Sequence, residues 1–186
     1  MKKKTAKPKE FLQKKELLKL DLGCGQNKQQ GFKGVDIWNG PGVDFVVDLF
    51  KLPLPFETAS VEEIFGSHFF EHMPQELRFG FMDELYRILI PGGKITFVTP
   101  YWASPRAVQD PTHMWPPITE SSYLYFNKGW REMNKLTHYK VQCDFDFTYG
   151  FLLDPETSLK NPETQSFWVK HYVSAVSDLQ VTLTKR

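Results

Sequence analysis

The sequence predicts an α/β fold: a central sheet of about seven strands, mostly parallel, with an antiparallel pair of strands at its C-terminal end. Three observations carry this. Short apolar runs recur through the first half of the chain, and several close on glycine or aspartate. A strongly periodic helix separates two of those runs. The final third turns β-rich, and no helical pattern there is long enough for a clean crossover between its two long strands.

The elements follow in order. Residues 1–10 read as a flexible basic tail, with Pro8 and five lysines opposing regular structure, and residues 11–186 as one domain. A short helical turn within 11–19 leads into a strand at 17–22, L-L-K-L-D-L, which stops at Gly23-Cys24-Gly25 as a buried strand does on entering a glycine turn. Further strands fit 32–37, 43–49 and, after the turn-rich Leu52-Pro53-Leu54-Pro55-Phe56, 61–67. Residues 74–90 are the clearest helix. Pro74 suits its first turn, Leu77, Phe81, Leu85 and Ile88 share one face, and Pro91-Gly92-Gly93 stops it. The β-branched run 95–99 is a fifth strand, and 119–126 a short helix capped by Thr119. Residues 139–151 and 172–184 are the two long strands, with 154–162 a loop between them.

Composition bounds the function. The chain has 186 residues, 41% of them apolar and 24% charged, as in a soluble globular protein. No run approaches the roughly 20 apolar residues that span a bilayer. No apolar segment of about 7–15 residues follows the basic start, which argues against a secretory signal. Cys24 and Cys143 are too few for a disulfide framework or a metal cluster, so the expectation is a cytoplasmic protein with reduced thiols. The net charge of +1 hides an asymmetry, +6 over residues 1–20 against −5 over the rest. A mildly acidic body argues against a broad nucleic-acid face on the folded part. The tail itself suits either solvation or contact with an anionic polymer or surface.

Functional chemistry concentrates at the ends of the early strands. Glycines at 23 and 25 let a ligand approach the backbone, as side chains there would not. Asp36, at the end of the second strand, suits the two hydroxyls of a ribose, and Val47-Asp48-Leu49 brings a carboxylate to the same crevice. Ligands in open α/β sheets bind outside the carboxyl ends of the strands.

The ordered set L-D-L-G-C-G, G-V-D, V-V-D-L, S-H-F-F-E-H-M-P and L-I-P-G-G-K-I-T-F-V-T-P resembles the class I S-adenosylmethionine-dependent methyltransferase family, and more narrowly its small type 11 domains. The likeness covers about residues 17–126, with a fainter match to the C-terminal strand pair. It implies a Rossmann-like methyltransferase fold and S-adenosylmethionine as cofactor. Asp21, Gly23, Cys24 and Gly25 would surround its methionine part, Asp36 and Ile37 its ribose, Asp48 and Leu49 its adenine, and Ser67 and His68 the floor near the sulfonium. Two connections depart from the family: 11 positions separate Gly25 from Asp36, and only five residues lie from Trp38 to Gly42. The first two crossover helices must be vestigial, and the second and third strands brief. Lys28 stands where a dinucleotide fingerprint would have its third glycine, which lowers a nicotinamide reading.

On the acceptor side, a hydroxyl needs a base, and His68, His72 and His113 are the imidazoles placed for it. The family borders its acceptor pocket with segments matching E-H-M-P and D-P-T-H, which makes His113 and His72 the expected catalytic residues. Each has an equally plain structural use as a hydrogen-bonded loop residue, while His138 and His171 read as surface residues. The aromatic, proline-rich stretch from Pro100 to Pro117 suits a lid, or a cover over a core edge. No pair of histidines or carboxylates has zinc spacing along the chain, so no metal is expected. The expected activity is metal-independent transfer of a methyl group to oxygen, less readily nitrogen, of a small molecule or glycan. Two rivals stand beside it. One is a non-catalytic S-adenosylmethionine-binding module. The other is a nucleic-acid methyltransferase recruited by the tail, disfavoured because Ser67-His68-Phe69-Phe70 replaces the Asn/Asp-Pro-Pro-Tyr element of base-modifying enzymes.

Overall fold

The structure, a computed structural model, describes residues 16–186. The basic tail and residues 11–15 of the expected first turn lie outside the described residues. Glu16 and Leu17 are not helical, and the first strand, β1, is Leu18–Leu22. It is followed by β2 (Lys33–Asp36), β3 (Val43–Val46), β4 (Val61–Ser67) and a single 3-10 turn, Phe70–His72. Helix α1 (Gln75–Ile88) then leads into β5 (Leu89–Pro100). After it come α2 (Arg106–Gln109), the 3-10 segment Glu120–Phe126, α3 (Lys128–Met133), β6 (Phe145–Leu153), α4 (Pro155–Ser158), α5 (Pro162–His171) and β7 (Val176–Lys185).

The seven strands form one sheet in the order β3-β2-β1-β4-β5-β7-β6. Strands β1 to β5 pair in parallel, and β7 runs antiparallel between β5 and β6. The order reverses at β1 and β4, the position where a crevice opens at the carboxyl ends of the strands. Between β1 and β2, and between β2 and β3, the described chain has turns instead of helices. Such short parallel returns are feasible because β2 and β3 have four residues each, so the chain retraces only about 10 Å. The thin first half follows directly from these connections.

Several expected elements are corrected. Helix α1 ends at Ile88 rather than 90, because the chain enters β5 at once. Pro91-Gly92-Gly93 is not a helix stop but an irregularity inside β5: the pairing jumps from Val61↔Leu89 to Glu63↔Lys94, with Gly92 at φ +76°. The strand expected at 139–151 begins only at Phe145. Ahead of it, side chains satisfy the backbone that a ladder would have used. Asp83 Oδ1 accepts from the N–H groups of Gln142 (2.9 Å) and Cys143 (2.8 Å), and Arg131 donates to the carbonyls of Val141 and Cys143. The last strand starts at Val176 rather than 172, and the supposed loop at 154–162 holds α4 and the start of α5. Asp154 and Asn161 cap those helices, each followed by proline in the first turn.

The core lies mainly under β1, β4, β5 and β7. Phe81, Leu85 and Ile88 of α1 are fully buried against it, as the helical spacing required. Phe70 stacks on Phe97 of β5 with ring centroids 5.0 Å apart and planes within 3°, which roots the 3-10 turn in the core. Cys24 and Cys143 are buried free thiols, and among the described residues no helix is long and apolar enough to cross a membrane.

Candidate functional site

A cleft of about 270 Å³ opens at the carboxyl ends of β1, β2, β3 and β4. Gly23, Asp36, Ile37, Asp48, Leu49 and His68 line it, joined by His72 from the 3-10 turn and by Val47, Phe50 and Phe69. Three features of the backbone shape it. Gly23 adopts φ +66°, and a Cβ there would come within 2.7 Å of the Phe69 ring, so only glycine fits. Gly25, at φ +49°, has open space where its Cβ would stand. His68 also has positive φ, 54°, a left-handed conformation uncommon for a non-glycine residue and concentrated at functional sites.

Asp36 ties the cleft together. Its Oδ2 accepts from the N–H of Gly25 and its Oδ1 from the N–H of Trp38, both at 2.9 Å. Each oxygen keeps lone-pair capacity for one more donor, as a ribose diol requires. Asp48 accepts from the Phe50 N–H (3.0 Å) and pairs with Lys51 (3.2 Å), and these two partners hold its carboxyl below the usual range.

Some expected contacts sit elsewhere. Asp21 is buried beneath the 23–29 loop, where its Oδ2 accepts from the Gln29 N–H at 2.7 Å; burial pushes its pKa up against that bond. Cys24 turns its thiol toward Gly34, where a Cβ would meet the sulfur at 2.7 Å. Neither they, nor Gly25, nor Ser67 at the end of β4, lines the cleft. Asp21 and Cys24 shape the loop that Gly25 completes.

His113 lies beside the cleft rather than in its wall, packed against His72 with ring centroids 4.8 Å apart. Both rings have a fixed tautomer. Thr112 donates its one hydroxyl proton to Asp110 Oδ1 (2.7 Å) and therefore accepts from His72 Nδ1 (3.0 Å). His113 Nδ1 donates to the Ala107 carbonyl (3.1 Å). In each neutral ring Nε2 is left with a free lone pair.

Sequence reasoning missed two residues here. Arg78 of α1 is buried and donates to the carbonyls of Met73 (3.1 Å), Met114 (3.2 Å) and Pro116 (2.9 Å), clamping the D-P-T-H loop against the 3-10 turn. Glu71 is 5% exposed, and neither carboxylate oxygen has a hydrogen-bond partner. Its Oε1 stands 3.3 Å from His68 Nδ1, near enough for an ion pair but outside hydrogen-bond geometry, and this neighbour raises the His68 pKa against the effect of burial. Periodicity marks neither residue, because a charged side chain on a helix face or after two phenylalanines reads as solvent-facing. Donors distant in the sequence also meet here. Glu71, His72 and His113 each offer a donor atom, and these atoms lie within 4.8 Å of one another.

No family model and no curated protein matches the chain. Solved structures do. A methyltransferase from Archaeoglobus fulgidus described as S-adenosylmethionine-dependent aligns with a TM-score of 0.63 at 17% identity, over 92% of this chain and 87% of that one. One from Mesorhizobium loti aligns at 0.51 and 19% identity, over 91% of both chains. A putative one from Listeria monocytogenes gives 0.51 and 15%, over 92% and 90%. At such identities the likeness concerns the fold, and the strand order, the reversed β7 and the cleft at the switch point agree with it: the chain has the class I S-adenosylmethionine-dependent methyltransferase fold.

Proposed function

We propose that the protein is an S-adenosylmethionine-dependent methyltransferase acting on an oxygen of a small molecule or glycan. The observation that carries the reading is Asp36, bonded to the Gly25 and Trp38 backbone in a cleft at the carboxyl ends of four strands. The residues present fit the cofactor: an acidic group with free lone pairs for a diol, a glycine that only close packing explains, and apolar Ile37, Leu49 and Phe50 for a flat base. A 270 Å³ cleft falls just below the roughly 300–1,000 Å³ of ligand sites, in keeping with a ligand lying partly exposed.

When bound, the cofactor supplies a methyl group on positively charged sulfur, which keeps the bonding electron pair when an acceptor oxygen takes the carbon. The chain aligns the two partners, and orientation supplies much of the rate in such a displacement. Asp36 and Asp48 hold the donor side. His72, in the cleft wall, presents its Nε2 lone pair to accept the acceptor's hydroxyl proton, with Thr112 and Asp110 fixing the ring. His113 packs edge-on across His72.

The test is calorimetric titration of the full chain with S-adenosylmethionine and its demethylated product. Saturable binding that falls at least tenfold in Asp36→Ala, with no response to NAD, is the expected result. A folded protein that binds neither compound would overturn the proposal.

A further inference from the structure

We infer that Glu71, His72 and His113 form a binding site for a divalent cation of the zinc class, opening onto the cleft through His72. The donor set is one carboxylate and two imidazoles, which suits a borderline metal better than magnesium or calcium. Three protein ligands leave at least one coordination position for a further oxygen.

Four features support a built site rather than a chance grouping. Both Glu71 oxygens are buried without hydrogen-bond partners; His68 Nδ1 stands 3.3 Å from Oε1, while Oε2 has neither a hydrogen bond nor an ion pair among the described residues, an arrangement that an ion or a water would satisfy. Both imidazoles commit Nδ1 to an acceptor, Thr112 Oγ1 and the Ala107 carbonyl, and so keep an unprotonated Nε2 as the atom available to an ion. Asp110 supports the Thr112 hydroxyl, and its Oδ2 lies 3.9 Å from His113 Nε2, adding negative charge at the rim. The two chain segments are also held in place before any ion arrives. The Met114 N–H donates to the Glu71 carbonyl (2.9 Å), and Arg78 clamps the same loop. Donors up to 4.8 Å apart must close by about an ångström or more to reach Zn–N bonds of about 2.0–2.1 Å, so binding requires these side chains to draw together.

The site stands on this geometry, while its use rests on the methyl-transfer reading. An acceptor hydroxyl on the open position would lose its proton to solvent near neutral pH, because a bound cation stabilises the alkoxide. That oxygen then forms the new bond to the methyl carbon. With the cation bound, His72 and His113 act as ligands and the proton no longer needs an imidazole; the base role proposed for His72 then belongs to the cation-free site.

The experiment uses the full chain, stripped with a chelator and titrated calorimetrically with zinc, with cobalt(II) in parallel for its visible spectrum. One equivalent should bind, with cobalt bands of a four- or five-coordinate site, and Glu71→Gln and His113→Ala should each weaken binding by more than tenfold. A folded wild-type chain that binds no zinc or cobalt saturably would overturn the inference. So would binding that both variants leave unchanged, which would mark it as adventitious. Should either variant lose its fold, Thr112→Val decides: a loss of about tenfold supports the site and unchanged affinity overturns it. S-adenosylmethionine is titrated separately. Zinc binding without cofactor binding removes the proposed function and keeps the site, and the converse removes only the site.

Discussion

The two halves of the sheet are held by different means. In β4, β5 and β7 the strands are long, α1 covers them, and Phe70, Phe81 and Phe97 fill the space between. In β1, β2 and β3 the strands are short and joined by turns alone; beside the buried Leu20, Leu22 and Val35, four aspartates bind the backbone of these strands and turns. Asp21 binds the Gln29 N–H, Asp36 those of Gly25 and Trp38, Asp44 that of Gly34, and Asp48 that of Phe50. Where helices are missing, carboxylate-to-backbone bonds add positioning to a smaller share of burial. Of the four, Asp36 and Asp48 also line the cleft, and on the proposed reading they serve binding as well as stability.

The largest effect should come from the apolar half. Phe97→Ala removes a fully buried ring stacked on Phe70 and should cost about 3–5 kcal/mol, seen as an earlier denaturant midpoint for the whole chain. A loss under 1 kcal/mol would mean that this half is not held by packing. Gly23→Ala should cost about 2 kcal/mol, from the positive φ and from displacing Phe69, and should weaken cofactor binding in calorimetry. Unaltered affinity would show that the turn does not shape the cleft.

Arg78→Lys sharpens the contrast on the acceptor side. Lysine keeps the charge but loses the fork that reaches three carbonyls, at a cost of about 1.5 kcal/mol. Amide exchange should rise across 110–116 while S-adenosylmethionine affinity is retained; equal disturbance of both would refute a separate acceptor side.

Asp44 gives the smallest effect and the cleanest test of the polar half. Lys28 and the Gly34 N–H draw its pKa down to about 2. Because the folded value lies below the ordinary 3.8, its contribution is complete above about pH 4 and drains away as the pH falls through 2. A quarter of the side chain still reaches solvent, so screening limits the contribution to about 1 kcal/mol. Asp44→Asn should lower the melting temperature at pH 7 and converge with the wild type near pH 2. A constant gap would assign the effect to packing instead.

Much of this was legible in the sequence. Strand β4 falls at the expected residues 61–67, because alternating apolar positions and flanking turns agree there. The strand-end residues Gly23, Asp36, Asp48 and His68 meet in one cleft, because parallel strands bring sequence-distant carboxyl ends together. The Asp154-Pro155 and Asn161-Pro162 pairs were also readable as helix starts, yet α4 and α5 carry too little periodic apolar sequence to draw notice, and α5 buries no residue. The resemblance placed E-H-M-P and D-P-T-H at one pocket, but the approach of the Glu71, His72 and His113 donor atoms within 4.8 Å could not be read from the sequence. Some 40 residues separate them, and their approach depends on Arg78 gripping carbonyls, which have no identity in a sequence.

The unequal ends of the sheet bear on how the protein behaves when concentrated or warmed. At one border β3 offers only four residues of free backbone, with Lys28 and Lys33 gathered around Asp44, a poor template for another chain. At the other border β6 offers nine, with Tyr149 and Leu152 exposed and Gly150 between them. The Asp146–Arg186 ion pair places charge near the start of that strand but not along its second half. Self-association on heating should therefore begin at residues 149–153, and a lysine in place of Leu152 should delay it without touching the cleft.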